Sequence, residues 1–271
     1  MLKIPEFQNK EDLFAFLIEK KTDLMAQKMN TVKFADGVGV SLKSDVILGN
    51  TNKAEPTGNA NEIQVKAVIN TTNLMDSHKD VHLPGIWKKS LKENKRIMHI
   101  QEHQSSSFDK IISSGSDLQA STKTMTWKSL GFDAEGNTQA LVFDSTVKAS
   151  RNKFMFDLYK DGHVDNHSVG MRYVKISMAI NSSDDAYITE KAVWDKYYPE
   201  IANNKEADST GYFWAVTEAK VIEGSAVPMG SNPITPTISI KNEPLKDTQQ
   251  LKAADSTFDI LQSINKLEIK I

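Results

Sequence analysis

From residue 62 onward, short segments in which apolar and polar residues alternate follow one another along most of the chain, and this pattern constrains the fold most. The first, EIQVKAVIN at residues 62–70, places an apolar side chain at every second position, as a half-buried β-strand does. Turn-forming residues separate the segments that follow. These further strand segments are RIMHI, DKIIS, TMTWKSL, ALVFDSTV, HSVGMRYVKISMAI and GYFWAVTEAKVIE. The pattern predicts an α+β fold with a closed or nearly closed β-structure and a few inserted helices.

Three other segments have the residue spacing of helices. Residues 9–30 begin with Asn9, a residue type that caps helices, and continue with apolar residues at roughly helical spacing. Residues 150–161 and 188–203 are further helix candidates. The chain is therefore expected to carry a helical N-terminal extension and a few helices inserted between its strands.

Two polar stretches divide the chain. Residues 49–61, GNTNKAEPTGNAN, read as a linker, and residues 241–254 read as a flexible tether. Apolar residues three apart then predict a short amphipathic C-terminal helix, either packed on its own domain or serving as a docking or removable tail. They are Phe258, Leu261, Ile264 and Leu267. We predict an N-terminal helical extension with its linker at 1–61, a central domain at 62–240 and a tail at 241–271.

The composition excludes several classes of protein. The 271 residues include no cysteine, which rules out disulfide frameworks, cysteine nucleophiles and cysteine-ligated zinc. A net charge of −2 does not favour nucleic acid, and no run of about 18 apolar residues is available to span a membrane. Acidic residues interrupt the apolar N-terminal run, unlike in a signal peptide. We expect a cell-internal protein with no membrane partner and no direct role on nucleic acid.

All six histidines fall into three His-x-x-x-His pairs. The pairs are His78 with His82, His99 with His103, and His163 with His167. The middle pair, HIQEH, matches the His-x-x-Glu-His signature of one class of zinc peptidases, but two such histidines share an ion only on a helix. On a strand they would lie about 13 Å apart, at a rise of about 3.3 Å per residue. The residues around His99 and His103 predict a strand that runs into a loop, so a zinc peptidase is the weaker alternative.

Ser168 lies in DNHSVGMRYV, at the start of an apolar strand segment. A serine there can present its hydroxyl at a strand edge, and Gly170 would let a substrate or another backbone approach closely. The adjacent His167 is a poor base for it, because successive strand residues point to opposite faces. A base within about 3 Å of the hydroxyl must come from elsewhere in the chain. This pattern alone does not separate a nucleophile from a structural serine.

Four ordered blocks between residues 68 and 236 resemble the prohead (capsid-maturation) protease family of tailed bacteriophages. They are DSHKDVHLPGIWKKSL, RIMHIQEH, DLYKDGHVDNHSVGMRY and EAKVIEGSAVPMGSNPITP. The first is similar to the family's Asp-x-x-x-Asp block before a short helix, and the second to its strand ending in histidine. The third is similar to its Ser-x-Gly strand, and the fourth to its Glu-x-Ser-x-Val block ending in Asn-Pro. Because that family is related in fold to the herpesvirus assemblins, the resemblance implies an α+β fold with a mostly antiparallel, assemblin-like β-barrel flanked by helices.

The resemblance implies a serine endopeptidase with Ser168 as nucleophile and His103 as general base. A third group should orient the imidazole; Glu223 is the first choice and Asp80 the alternative. A surface salt bridge is the competing interpretation of Glu223. The resemblance implies no metal and no cofactor, and it leaves the donors to the oxyanion unassigned.

Two features depart from the simplest family pattern. One is the N-terminal helical extension, and the other is Gly224, which stands where a larger residue is expected after the glutamate of the fourth block. Because relatives can use a second histidine, His99 and His78 also remain candidates for the third group.

By resemblance, the protein would act inside the phage procapsid, within the cytoplasm of the bacterial host. Its partners would be its substrates, the scaffold protein and the N-terminal segment of the major capsid protein, and it would also cleave itself. A homo-oligomer is compatible with this role. Two alternatives from other classes stay open: a zinc-dependent peptidase, and a non-catalytic capsid or scaffold protein that retains the protease fold.

Overall fold

The computed structural model describes residues 3–31, 61–94 and 96–241. Within these ranges the chain forms two β-sheets and six α-helices, so the α+β prediction is confirmed. The predicted linker up to residue 60 and the predicted tail from residue 242 lie outside the described residues.

The first sheet is entirely antiparallel. Its strands are β1 (Glu62–Thr71), β5 (Leu118–Thr126), β6 (Asn137–Lys148) and β9 (Thr237–Lys241). They lie in the order β5–β6–β1–β9. The alternation seen in the sequence places Ile63, Val65 and Ala67 of β1 in the core. The segment TMTWKSL is a strand only as far as Thr126, because residues 128–130 form a turn of 3-10 helix.

The second sheet is organised around its longest strand. Its strands are β2 (Asp80–His82), β3 (Met98–Gln101), β4 (Ile111–Ser114), β7 (His167–Ile180) and β8 (Tyr212–Ala226). β7 runs antiparallel along one edge of β8, while β2 and β3 lie parallel to different parts of its other edge and β4 pairs with β3. The short strand β2 thus includes His82, the second histidine of the first His-x-x-x-His pair. The parallel pairing brings the end of β3 beside the end of β8.

The predicted closed barrel is wrong for the described part of the chain, where both sheets are open. Their apolar faces share one core instead. Alternation reports only that one face of a strand is buried, and two stacked sheets satisfy that condition as well as a barrel does.

Gly224 lets the two sheets approach closely. A Cβ atom at this position would lie 2.5 Å from Phe143 Cε2 of β6 and 2.9 Å from Ile69 Cγ2 of β1. Both neighbours are fully buried and have little room to move. The departure from the family pattern at Gly224 therefore has a packing reason.

The helix predicted at residues 9–30 is confirmed as two helices, α1 (Lys10–Glu19) and α2 (Lys21–Asn30). The Asn9 side chain caps α1 by accepting a hydrogen bond from the Asp12 backbone N–H at 2.8 Å. Apolar residues on the inner side of both helices join the main core. They are Phe14, Leu17 and Leu24.

The remaining helices are α3 (Lys88–Glu93), α4 (Lys153–Lys160), α5 (Ile188–Tyr197) and α6 (Asn204–Thr210). α4 confirms the helix predicted at residues 150–161. The helix predicted at residues 188–203 ends earlier, at Tyr197, where a 3-10 turn containing Pro199 begins. None of the helices in the described ranges is both long enough and apolar enough to cross a membrane.

Substituting Gly224 by alanine should lower the free energy of unfolding by about 1–3 kcal/mol, because the new methyl group must displace Phe143 or Ile69. Urea denaturation followed by tryptophan fluorescence measures this. Thr124→Ala, at an exposed position on β5, is the matched control and should change stability by less than about 0.5 kcal/mol. Equal stability of the two variants would contradict the packing role of Gly224.

Candidate catalytic site

His103 lies just past the end of β3, beside the end of β8. The Glu102 backbone N–H donates to the Ala226 carbonyl at 2.9 Å, which extends the pairing of the two strands by one residue. Glu102 and His103 then both take positive φ angles, 50° and 59°. Non-glycine residues rarely occupy this region, and such strain often accompanies a functional site. The predicted strand running into a loop is confirmed, and the turn brings the imidazole to β8.

A buried carboxylate holds the imidazole of His103. Glu223 Oε1 accepts a hydrogen bond from His103 Nδ1 at 2.6 Å, and Glu223 has no exposed surface. The other oxygen, Oε2, accepts from the Ser225 hydroxyl at 2.6 Å, and Ser225 Oγ accepts from the His103 backbone N–H at 3.0 Å. An ionised carboxylate can only accept, so it places the proton of a neutral imidazole on Nδ1. His103 Nε2 is then the nitrogen with the basic lone pair.

Gly170 makes room for this carboxylate. It lies directly opposite Glu223 in the antiparallel pairing of β7 with β8. A Cβ atom at Gly170 would lie only 1.9 Å from Glu223 Oε1 and 2.7 Å from Glu223 Cδ. Any side chain at this position would push the carboxylate away from His103.

Ser168 lies next to the same cluster on the neighbouring strand. It pairs directly with Ser225, two residues from the pair formed by Gly170 and Glu223. Paired residues share a face of the sheet, with Cβ atoms about 5 Å apart. Ser168 is 4% exposed, and the hydrogen bonds between described residues do not join its hydroxyl to His103. Catalytic hydrogen bonds are often long in ligand-free enzymes and shorten when substrate binds.

Asp80, the alternative third residue, is not in this cluster. It lies on β2, and its carboxylate accepts from the Tyr173 hydroxyl at 2.7 Å and forms an ion pair with Lys28 of α2. Asp80 therefore belongs to the contact between the N-terminal helices and the second sheet. Glu223 is the carboxylate beside His103, and its complete burial excludes the interpretation as a surface salt bridge.

His99 and His167 lie on the opposite, core-facing side of the second sheet, in one chain of hydrogen bonds. His167 Nδ1 must donate to the Thr235 carbonyl, at 2.9 Å, because a carbonyl only accepts. His167 Nε2 then accepts from the Tyr159 hydroxyl at 2.9 Å, and the Tyr159 oxygen accepts from His99 Nε2 at 3.1 Å. His99 Nδ1 finally accepts from the Ser145 hydroxyl at 2.9 Å. With all four hydrogen bonds donated in this order, every nitrogen of the two imidazoles has a partner. The arrangement requires that both imidazoles are neutral.

Burial keeps these two imidazoles neutral. Desolvation lowers the pKa of His167 to about 4. Desolvation, with a smaller effect of His167, lowers the pKa of His99 well below its ordinary value. The Thr235 hydroxyl also accepts from the His167 backbone N–H at 3.1 Å and donates to its carbonyl at 2.8 Å. The backbone is thereby fixed one residue before Ser168.

In the described ranges, the two histidines of a His-x-x-x-His pair never lie in the same group of potential metal ligands. One group there has suitable spacing, Asp76, His78 and Asp80, whose ligand atoms lie within 4.8 Å of one another. The protein itself supplies a cation and backbone donors to this group: Lys28 pairs with Asp80, and Asp76 Oδ1 accepts from the backbone N–H groups of His78 and Asp80 at 2.9 Å. His78 thus lies with Asp76 and Asp80 and not in the cluster around His103.

Four residues of these clusters were not identified from the sequence: Ser225, Tyr159, Ser145 and Thr235. The Glu-x-Ser spacing carries a signal for Ser225, because residues two apart on a strand share a face. Tyr159 lies on α4 and meets the histidines only through the packing of that helix on the sheet. No spacing in the sequence links Tyr159 to His99.

Comparisons with known proteins do not assign the chain to a family. No protein-family model matches it, and no curated protein and no solved structure match it either.

The buried imidazole of His167 should make stability depend on pH. Between about pH 4 and pH 6.5 the unfolded chain binds a proton that the folded chain does not, so stability is complete above pH 6.5 and falls as the pH falls. On lowering the pH from 7.5 to 5.0, wild type should lose about 2 kcal/mol more than His167→Asn. Urea denaturation of both proteins at the two pH values measures this.

The matched control for this measurement is His163→Asn, because His163 is exposed and its removal should leave the wild-type pH dependence unchanged. An identical pH dependence in wild type and in His167→Asn would show that His167 is not held neutral in the folded state.

Proposed function

We propose that the chain is a serine endopeptidase in which Ser168 is the nucleophile, His103 the general base and Glu223 the residue that orients the base. The observation that carries this proposal is the 2.6 Å hydrogen bond between His103 Nδ1 and buried Glu223, on the face of the sheet that also carries Ser168. A carboxylate–imidazole pair beside a serine hydroxyl is the arrangement that activates a serine nucleophile.

In this mechanism, His103 Nε2 takes the proton of the Ser168 hydroxyl as Oγ attacks the carbonyl carbon of a peptide bond. The imidazolium, stabilised by the Glu223 carboxylate, then gives that proton to the leaving amine, and the C–N bond breaks. A water molecule, deprotonated by the same nitrogen, hydrolyses the ester on Ser168 and regenerates the free serine. Glu223 stays ionised throughout and acts only through His103.

Ser168 fits the role of nucleophile better than its cross-strand neighbour Ser225. The Ser225 hydroxyl is fully buried, donates to Glu223 and accepts from the backbone of His103. A nucleophile at that position would have to break both contacts. Ser225 is better suited to hold the carboxylate and the His103 turn in place.

The wider role that we propose is processing of a phage procapsid. The four sequence blocks that resemble prohead proteases support it, and three of them contain the clustered residues His103, Ser168 and Glu223. In this role the protein acts inside the procapsid in the bacterial host, on the scaffold protein, on the N-terminal segment of the major capsid protein and on itself. Kinship with the assemblins is part of the same proposal and rests on the same blocks.

The serine that acts as nucleophile can be identified by substituting the two paired serines separately. Ser168→Ala should reduce cleavage by at least about 10⁴-fold, since no other hydroxyl replaces the nucleophile. Ser225→Ala should keep activity at about one tenth of wild type, because Glu223 loses one hydrogen-bond donor but His103 keeps its carboxylate. Each variant is co-expressed with the phage scaffold and capsid proteins, and intact-mass spectrometry shows which chains are shortened.

Cleavage that survives Ser168→Ala and is lost with Ser225→Ala would reverse the assignment of the two serines. Absence of any shortened chain with wild type would contradict the peptidase proposal and favour the non-catalytic capsid or scaffold protein.

The role of the buried carboxylate can be tested through the glycine that makes room for it. Gly170→Ala should lower kcat about 100-fold, because the new Cβ atom displaces Glu223 Oε1 from His103. Glu223→Gln should have a similar or larger effect. Both are measured on a peptide spanning a site that wild type cleaves, with Glu206→Gln, at an exposed position on α6, as the control. Wild-type kcat in Gly170→Ala would rule out the proposed role of Glu223.

A further inference from the structure

Two cations without acidic partners lie side by side on the exposed face of the β7–β8 pair. Arg172 and Lys220 are direct cross-strand partners, and both are exposed. Like charges placed opposite each other destabilise an antiparallel pair. Across the described residues neither cation forms an ion pair, whereas the nearby Lys89 and Lys175 both pair with Glu218 at 3.6 Å and 2.8 Å. The fold thus keeps an uncompensated positive pair where acidic neighbours were available.

This positive pair faces the same side of the sheet as the proposed nucleophile. On β7, Ser168 and Arg172 are four residues apart and alternate with Val169 and Met171, which are buried in the core. The irregularity in this part of the pairing leaves Ile222 of β8 as the extra residue, so the alternation of β7 is unbroken. At a rise of about 3.3 Å per residue, Arg172 lies about 13 Å along the strand from Ser168. An extended peptide covers that distance in about four residues.

The edge of β7 can accept such a peptide. Among the described strands β7 pairs only with β8; Thr235 occupies its other edge at His167, and no described strand lies beside that edge from Ser168 to Arg172. An exposed strand edge binds an extended peptide through backbone hydrogen bonds, while pockets for alternate side chains give specificity. Beyond Arg172, Val174 and Lys220 line an open cavity of about 260 Å³, which leaves space for substrate side chains; Lys89, Glu93 and Glu218 line its other parts.

We infer, on the premise of the proposed peptidase, that Arg172 and Lys220 select an acidic side chain of the substrate, about four residues from the bond that is cut. A carboxylate placed between the two cations replaces their mutual repulsion with two attractions. Both cations are exposed, so each should contribute about two- to five-fold in kcat/KM for an acidic substrate at low ionic strength, and less as salt is added.

The test is a cleavage profile of the full chain on a synthetic library of random peptides, with the cut positions read by mass spectrometry. Wild type should cut peptides in which Asp or Glu is enriched about four residues from the cut, on one side of it. Arg172→Gln with Lys220→Gln should lose that enrichment and still cut peptides that lack the acidic residue within about two-fold of the wild-type rate. The matched control, Lys205→Gln with Lys241→Gln, removes the same charge at exposed positions elsewhere and should keep the enrichment.

The outcomes separate this inference from the function on which it rests. Cleavage by wild type without acidic enrichment, or enrichment that persists in the Arg172 and Lys220 double variant, overturns the inference and leaves the peptidase intact. No cleavage by wild type, at a detection limit set by Ser168→Ala, overturns the peptidase and the inference together. Enrichment of Asp or Glu that the double variant alone abolishes supports both.

Discussion

The structure of the site depends on one buried negative charge, the carboxylate of Glu223. A buried carboxylate is costly unless each oxygen finds a donor, and removing one partner of such a group is more damaging than never having buried it. The imidazole of His103 supplies one donor and the hydroxyl of Ser225 the other. Gly170 supplies the space. The strained turn at His103 persists because this charge and the backbone contact with Ser225 hold it.

Alternate residues of the same strands serve two different purposes. On one side, buried Ser168 lies with Ser225 and Glu223, whose carboxylate meets His103. On the other side, His167 and its hydrogen-bonded neighbours form a neutral, fully satisfied chain that fixes the backbone of β7. The two sides keep the two kinds of group apart: the neutral chain needs no charged partner, and the other cluster supplies a donor to each oxygen of the carboxylate. Gly224, between Glu223 and Ser225, completes the division by letting the core side close against Phe143.

Local pattern in the sequence predicted most of the helices and strands, but not β2, β9 or α6, and not how the elements are arranged. The Asn9 cap and the apolar spacing after it predicted the N-terminal helices, and alternation predicted β1, β3, β6, β7 and β8. Alternation could not distinguish a barrel from two open sheets, because both bury one face of each strand. The parallel pairing of β3 with β8 brings His103 to Glu223. This pairing depends on contacts between distant parts of the chain, and the sequence of neither strand predicts it alone. The resemblance ranked Glu223 above Asp80, and the paired geometry then placed Glu223, not Asp80, at His103.

Other features were visible in the sequence only after the fold was known. Arg172 and Lys220 are 48 positions apart in the numbering, and only the register of β7 against β8 makes them neighbours. Tyr159 joins two histidines through a helix packed on the sheet, and Gly170 matters because of the residue opposite it. Each of these depends on a contact between distant segments, which periodicity cannot report.

The position of β8 late in the chain has a consequence for biosynthesis. His103 and Glu223 are 120 residues apart, and the strand that carries Glu223 is also the strand on which β2, β3 and β7 assemble. At typical elongation rates of about 5–20 residues per second, a ribosome takes roughly 6–24 seconds to travel from one to the other. In the later part of that interval, once residue 168 has been made, the nascent chain has the serine and the imidazole but neither the carboxylate nor the complete central strand. A polypeptide that ends before β8 therefore has no means of assembling the site.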